Sequence, residues 1–353
     1  MKTKILILVK KWTHHTKHSA FGMLFETLKS DKIEFFILYE DDLLGFLRKP
    51  IRLIIKSILK KNKWFIFLED FYLTRFIKKN KIEFIHFTSL EDFYHELEFK
   101  IPKIKSVHIP NSQFILYPYF RDRIKNTDTL LVVSESQKEY LQDYSNKISF
   151  IPLPIDTNYF TPNYDHKDKY STKTFNCITC GAHLRDYVTL YNIIKEIIKL
   201  NFSINFIIVY PTKALHSKPY LLDIFNDLSE YQNVRFFTGI SDDKLKELYN
   251  DSHLLILPMY DATANCTVLE SLSMGIPVIT TKLKGTIDYL NESSSFRIEK
   301  NNIESYINTI IDLYNNRDEC IKMSKAAREF CVANFDTSIV SQMYLNFYHG
   351  LLK

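Results

Sequence analysis

At 353 residues, with 46% hydrophobic and 25% charged residues, the chain has the make-up of a soluble globular protein long enough for two domains. Its five cysteines are odd in number and widely scattered, which argues for reduced thiols and a cytoplasmic home and against a disulfide-framed secreted module. The net charge of +5 is local: seven basic residues and no acid fall between residues 46 and 64, leaving the remainder near −2, so this is not a generally basic protein.

The first apolar run, ILILV, is short and flanked by lysines, and reads as a buried strand at 4–9, not as a targeting segment. No uncharged run approaches the length needed to span a bilayer. The loop that follows carries His14, His15, His18 and Ser19; three histidines with no acidic or cysteine neighbour do not make a metal site. After a strand at 34–39, Arg48, Arg52, Lys56 and Lys60 recur every four residues, a cationic stripe on a helix. Leu47, Ile51, Ile54, Ile55 and Ile58 line another face. Such a helix either lies on an anionic membrane or docks its apolar face on the domain; the membrane reading is favoured. Strands are then expected at 84–88, 104–109, 129–133 and 148–152, the second of them ending around His108. On its own, a histidine at a strand end is more often structural than catalytic.

Residues 152–174, rich in Pro, Asp, Asn and Lys, read as a linker. Beyond it strands are expected at 176–179, 204–209, 234–238, 254–257, 278–280 and 296–298, with helices at 184–200 and 242–250 and an aromatic-rich helix from 337 to 353. Cys177 and Cys180 form a CxxC inside the first of these strands; without a second pair or a histidine cluster they are structural. Strands alternating with helices predict α/β architecture with parallel sheets, whose ligands sit at the carboxyl ends of the strands. Of only seven glycines, Gly181, Gly239, Gly275 and Gly285 fall near strand ends in the second half, which makes that half the place to look for a ligand.

The stretch 254–280, LLILPMYDATANCTVLESLSMGIPVIT, reads as strand, loop, helix, strand. Asn265 or Thr263 caps the helix, Gly275 ends it and Pro277 opens the next strand. The first-turn amides of Asn265, Cys266, Thr267 and Val268 suit an anion, because the helix dipole and free N–H groups both favour one. Thr267 adds a hydroxyl, and Glu270, a turn further on, can accept two hydrogen bonds from the vicinal hydroxyls of a ribose. An ordinary amphipathic helix with a solvated Glu270 fits these residues equally well.

Five segments in order resemble the retaining family-four glycosyltransferases. They are SVHIP (106–110), ISFIPLPIDTNYFTP (148–162), CGAHLRDYVTL (180–190), NVRFFTGISDDKLKELYNDSHLLILP (233–258) and LESLSMGIPVIT (269–280). The resemblance implies a GT-B fold, two Rossmann-like domains facing each other across a cleft. Residues 1–165 would bind the acceptor and 166–337 the donor, with the option that the helix 338–353 packs back on the first. It implies transfer of a sugar from a nucleoside diphosphate sugar to a glycan or lipid-linked acceptor, in cell-surface polysaccharide or glycolipid synthesis, with retention. By the same resemblance Arg185 and His183, with Gly181, serve the leaving diphosphate, Glu270 holds the ribose, and His108 attends the sugar. Ser19 stands where relatives contact donor phosphate or acceptor. No Asp-x-Asp stands at a strand end, so no metal or other cofactor is expected beside the nucleotide sugar. The family commonly has a glutamate eight positions before Glu270; here that position is Ala262, with Asp261 adjacent, and the family's intervening glycine is Asn265. A sugar-nucleotide epimerase or hydrolase, or a non-catalytic nucleotide-sugar binder, are the alternatives. Peripheral contact with the inner face of a membrane would suit a lipid-linked acceptor, through Arg48, Arg52, Lys56 and Lys60.

Overall fold

The structure, a computed structural model, describes residues 2–10, 16–40, 63–91, 101–124, 127–145, 147–211 and 220–352. The cationic stripe of Arg48, Arg52, Lys56 and Lys60, together with His14 and His15, lies outside the described residues. The chain divides into two compact units: Met1–Thr13, Phe21–Pro152 and Val340–Lys353 in one, His14–Ala20 and Leu153–Ile339 in the other.

The first unit is built on β1 (Thr3–Val9), β2 (Ile33–Tyr39), β3 (Phe84–Phe87), β4 (Lys103–Val107), β5 (Thr129–Val132) and β6 (Ile148–Phe150), in the order β2-β1-β3-β4-β5-β6. Every pairing is parallel. Ile5, Leu6, Ile7 and Leu8 of β1 are fully buried, as a continuous apolar run must be when helices cover both faces of a parallel sheet. A polar network lies within this core. His86 on β3 is fully buried, with Nδ1 2.7 Å from the Tyr348 hydroxyl and Nε2 2.8 Å from Ser106 Oγ. Burial, and then the neighbouring His108, drives its pKa down to about 3, so the ring is neutral. Tyr344 and Tyr348 of the helix Thr337–Gly350 are buried against it, which ties the end of the chain to this sheet.

The second unit carries β7 (Phe175–Cys180), β8 (Ile204–Val209), β9 (Val234–Phe237), β10 (Leu254–Leu257), β11 (Val278–Thr281) and β12 (Ser295–Ile298), in the order β12-β11-β10-β7-β8-β9. Counted from β7, this is the doubly wound order of dinucleotide-binding sheets. All twelve strands fall within a residue or two of their expected positions. The helices Tyr187–Lys199 and Asp242–Asn250 form for the reason their spacing suggested: Leu190, Ile193, Ile194 and Ile197 make one buried stripe on the first, and Ser241 caps the second. Cys177 and Cys180 are buried and unpaired in β7.

One expectation is corrected. Residues 152–174 are not a solvated linker: Leu153, Ile155, Phe160 and Tyr170 are buried, and His166–Tyr170 is helical. Arg328 clamps the segment by donating to the carbonyls of Phe160 at 2.9 Å and Thr157 at 3.0 Å, and also to that of Ser273 at 2.7 Å. Composition misled because most of the polar residues face outward, Thr157 and Lys169 excepted, while Leu153, Ile155, Phe160 and Tyr170 anchor the path.

Candidate nucleotide-sugar site

In the second sheet β7 pairs with both β8 and β10, and the chain leaves β7 toward one edge and returns at β10 to build the other. The loops leaving the carboxyl ends of β7 and β10 therefore diverge, opening the crevice in which such sheets bind ligands. The two loops are stitched together at their base. Arg185 and Met259 form an antiparallel bridge, Asp186 N donates to the Pro258 carbonyl at 2.9 Å, and Tyr260 N donates to that of Leu184 at 2.9 Å. Gly181 (φ +91°) and Leu184 (φ +57°) turn the first loop through left-handed conformations, the second at a cost no glycine relieves.

That turn directs Arg185 across the crevice. Its Nε donates to the Cys180 carbonyl and Nη1 to that of His183, both at 3.0 Å, while Nη2 reaches Asn265 Oδ1 and Thr267 Oγ1, both at 3.2 Å. Among the described residues no carboxylate forms an ion pair with it. Burial pushes its pKa down, the response of a cation short of compensating charge.

From the other side comes the helix Cys266–Ser273, capped by Asn265, whose Oδ1 accepts from Val268 N at 3.4 Å. Its first-turn amides precede the first intrahelical bond, so the positive end of the helix and the Arg185 guanidinium lie together. Glu270 sits one turn in and is 5% exposed. The Tyr249 hydroxyl donates to its Oε2 at 3.0 Å, and the nearby Ser19 hydroxyl also favours the ionised form. Burial outweighs both and lifts its pKa from 4.5 to about 7. The Cys266 thiol is pushed up to about 12, chiefly by burial and then by Glu270, so it is no nucleophile.

Ser19 reaches this cluster although the loop that carries it follows β1. The loop docks onto the second unit: Ser19 bridges Ile155, and Asp156 N donates to the His18 carbonyl at 2.8 Å. His18 Nδ1 lies 2.9 Å from Asp156 Oδ2, and the imidazole stacks on Tyr159 at 3.5 Å. The acidic partner that His18 lacks in the local sequence is thus supplied from 138 positions away. Among the described residues no three His, Cys, Asp or Glu side chains gather as a metal site.

The structure accordingly brings together Ser19, Gly181, Arg185, Asn265, Cys266, Thr267, Val268 and Glu270. His183 is exposed and contributes its carbonyl to Arg185. Asp261 turns back on its own loop, accepting from Ala262 N at 2.8 Å. His108 belongs to the first unit, just past β4; its Nε2 donates to the Thr88 carbonyl at 2.8 Å and its ring meets Phe21 edge-on at 5.0 Å. Sequence reasoning missed Tyr249, whose only local sign was an aromatic at the end of an amphipathic helix.

Gly285 explains the shape of the 261–264 loop. A Cβ there would lie 2.0 Å from the Ala262 carbonyl oxygen and 2.7 Å from Thr263 Cα. Both are backbone atoms, so Gly285→Ala must displace the loop. We expect it to cost about 1–3 kcal/mol in urea denaturation and to weaken binding of a sugar nucleotide more than that of the free nucleotide. Equal weakening of the two would mean that the 261–264 loop, which carries the position of the family's glutamate, does not meet the sugar.

Comparison with known proteins bears on the family and the fold. Residues 223–330 match the family described as glycosyl transferases group 1, and residues 26–159 match glycosyltransferase family 4. A 62-residue stretch is 36% identical to the lipopolysaccharide glucosyltransferase WaaG of Escherichia coli, spanning 18% of this chain and only 16% of that relative. Among solved structures, a glycosyltransferase from Rickettsia africae is similar over 100% of this chain and 99% of its own, with a TM-score of 0.72 at 18% identity. The sucrose-phosphate synthase of Thermosynechococcus elongatus is similar over 99% of both chains, with a TM-score of 0.76 at 12% identity. HepE of Anabaena, solved with UDP-glucose, is similar over 98% of this chain and 99% of its own, with a TM-score of 0.67 at 12% identity. At such identities these structures speak to the fold.

Proposed function

We propose that this chain, which belongs to the family-four glycosyltransferases of GT-B fold, transfers a hexose from a nucleoside diphosphate sugar to a glycan or lipid-linked acceptor with retention. The observation that carries this reading is Arg185. A half-buried guanidinium with no carboxylate partner among the described residues, set against the positive end of the helix Cys266–Ser273, is matched by a diphosphate. Glu270, one turn along the same helix, offers two carboxylate oxygens that can accept from ribose hydroxyls. When the acceptor hydroxyl replaces the diphosphate at the anomeric carbon, the electron pair of the broken C–O bond stays with the diphosphate, whose oxygen takes up the proton that the hydroxyl loses. Arg185 and the first-turn amides of Cys266 and Thr267 then stabilise the charge it gains, without a metal ion. His108 takes the sugar-side role that the family resemblance assigns to it.

HepE was solved with UDP-glucose, and the stretch shared with WaaG belongs to a lipopolysaccharide glucosyltransferase; both favour a UDP-hexose donor and a cell-surface glycolipid or polysaccharide as product. Ala262 favours a second reading, a protein that binds nucleotide sugar without transfer, because a methyl stands where relatives read the sugar with a carboxylate. A thermal-shift screen of UDP-, GDP-, ADP- and CMP-sugars, followed by nucleotide-release assays with and without a membrane glycolipid extract, separates the two. Stabilisation by one nucleotide class together with extract-dependent, EDTA-insensitive release is the expected result. Binding with no release under any condition would establish the second reading, and no stabilisation at all would refute both.

A further inference from the structure

We propose that the second unit carries a separate carbohydrate site, in a cavity at the amino ends of β7 and β10, where Lys169 bonds a hydroxyl of a neutral saccharide. Its use, holding a glycan that the enzyme extends, rests on the transferase reading; the binding itself does not.

The cavity, of about 600 Å³, is lined by Asn176 at the start of β7 and by His253 just before β10. The nucleotide crevice opens at the carboxyl ends of the same two strands, so the sites lie at opposite ends of one sheet. Lys169, also on the wall, stands on the short helix His166–Tyr170 and is 7% exposed. The backbone beneath it is fixed. Its carbonyl accepts from His253 Nε2 at 3.0 Å, and the Tyr170 hydroxyl donates to the His253 carbonyl at 2.9 Å. The side chain has no such settlement. Nζ is buried and makes no hydrogen bond, and the Tyr164 ring 3.8 Å away offers it a π face but no lone pair. A buried amine left unpaired destabilises the ligand-free fold, where a methionine of similar shape would not. A molecule in the cavity that Lys169 lines supplies the missing partner.

Charge selects that molecule. Asp243, Glu247 and Asp251 on the wall are exposed. Against them stand Lys169 and Lys246, and Lys244 pairs with Glu247 at 2.7 Å. Three acids facing three lysines leave no net sign to hold an anion or a cation. Burial also drives the Lys169 pKa well below its ordinary value, with Asp251 opposing, so the amine does not call for a full negative charge. Hydroxyls answer these conditions, since each both donates and accepts. Asn163, Asn250 and Thr174 give the remaining hydroxyls of a sugar ring partners of either kind.

The test is saturation-transfer NMR of the full chain with glucose, galactose, N-acetylglucosamine and maltotriose. Wild type is expected to transfer saturation to at least one of them. Lys169→Met should weaken that binding about tenfold, the effect of one lost hydrogen bond in a closed site. Its melting temperature should hold or rise, because an unpaired buried amine is gone. Thr174→Trp, at an exposed position on the wall, should exclude the sugar and leave the melting temperature unchanged. If Lys169→Met melts lower than wild type, Thr174→Trp alone decides. Absence of transfer to every sugar, or wild-type binding by Thr174→Trp or by a stable Lys169→Met, overturns the proposal. So does binding of inorganic phosphate in place of sugar, which would make the cavity an anion site. The nucleotide thermal shift is read on the same preparations and should be unaltered in both variants. Sugar binding without any nucleotide shift removes the transferase reading alone, and a nucleotide shift without sugar binding removes the cavity alone.

Discussion

Arg185→Ala is expected to lower kcat/KM for the nucleotide sugar by about 100- to 1,000-fold, the usual cost of removing a preorganised group aimed at developing charge. Most of that loss should fall on kcat, because charge on the leaving diphosphate grows as the bond to the anomeric carbon breaks. Arg185→Lys should recover only part of the activity: an ammonium keeps the charge but cannot span Asn265 and Thr267 and still present a second donor to phosphate. The stability of the ligand-free protein should change far less. Arg185 has no carboxylate to leave stranded among the described residues, and the loss of its bonds to the Cys180 and His183 carbonyls is offset by removal of a half-buried uncompensated cation. Steady-state nucleotide release and thermal melts of the same preparations check this. A variant that melts many degrees lower while its kcat per folded molecule stays normal would make Arg185 a structural strut.

Glu270 should show two pH dependences of opposite sense. In the ligand-free protein its carboxyl holds a proton up to about pH 7, against 4.5 for an ordinary glutamate, so the native state binds more protons than the unfolded chain between those values. Stability is then greatest below about pH 4.5, declines as pH rises toward 7, and levels off above it. Glu270→Gln removes the decline. At pH 8 the variant should be more stable than wild type, by up to about 3 kcal/mol at about 1.4 kcal/mol per pH unit, and the two should converge near pH 5. Nucleotide binding runs the other way, because ribose hydroxyls donate to the ionised carboxylate. Wild-type affinity should rise as pH increases through 7 and level off, whereas Glu270→Gln should bind about 100-fold more weakly at pH 8 with a flat profile. Urea denaturation at pH 5 and pH 8, with nucleotide titrations at the same values, measures both. A stability difference that does not vary with pH would remove the buried-carboxyl argument, and tight binding by Glu270→Gln would remove the ribose assignment.

The two effects share a cause, since the low-polarity surroundings that raise the Glu270 pKa also strengthen whatever hydrogen bonds a ligand makes there. They also give the Ser19 loop a measurable part. Its hydroxyl opposes the effect of burial on Glu270, and the loop is held by the His18–Asp156 pair and the Tyr159 stack.

Local pattern was enough to locate the strands among the described residues: the inner strands β1, β5 and β10 are unbroken apolar runs, as burial on both faces requires, and the others are short runs rich in Ile, Val and Phe bounded by turn residues. It also located the helix Cys266–Ser273, since Asn265 caps and Gly275 terminates it through bonds made within a few residues. The part of the site lying on that one helix was legible for the same reason. What only the tertiary structure decided are the pairings across long sequence separations. Arg185 meets Asn265 and Thr267 from 80 and 82 positions away, Tyr249 finds Glu270 from 21, and His18 finds Asp156 from 138. Such contacts are set by strand order at the crevice and by where a loop docks, neither of which leaves a periodic trace in the chain. The same holds for residues 152–174: its composition is that of a linker, and burial of Leu153, Ile155, Phe160 and Tyr170 together with the carbonyls that Arg328 gathers binds it into the fold. Sequence determined which residues are able to bind a nucleotide; packing decided which of them stand together and with what charge.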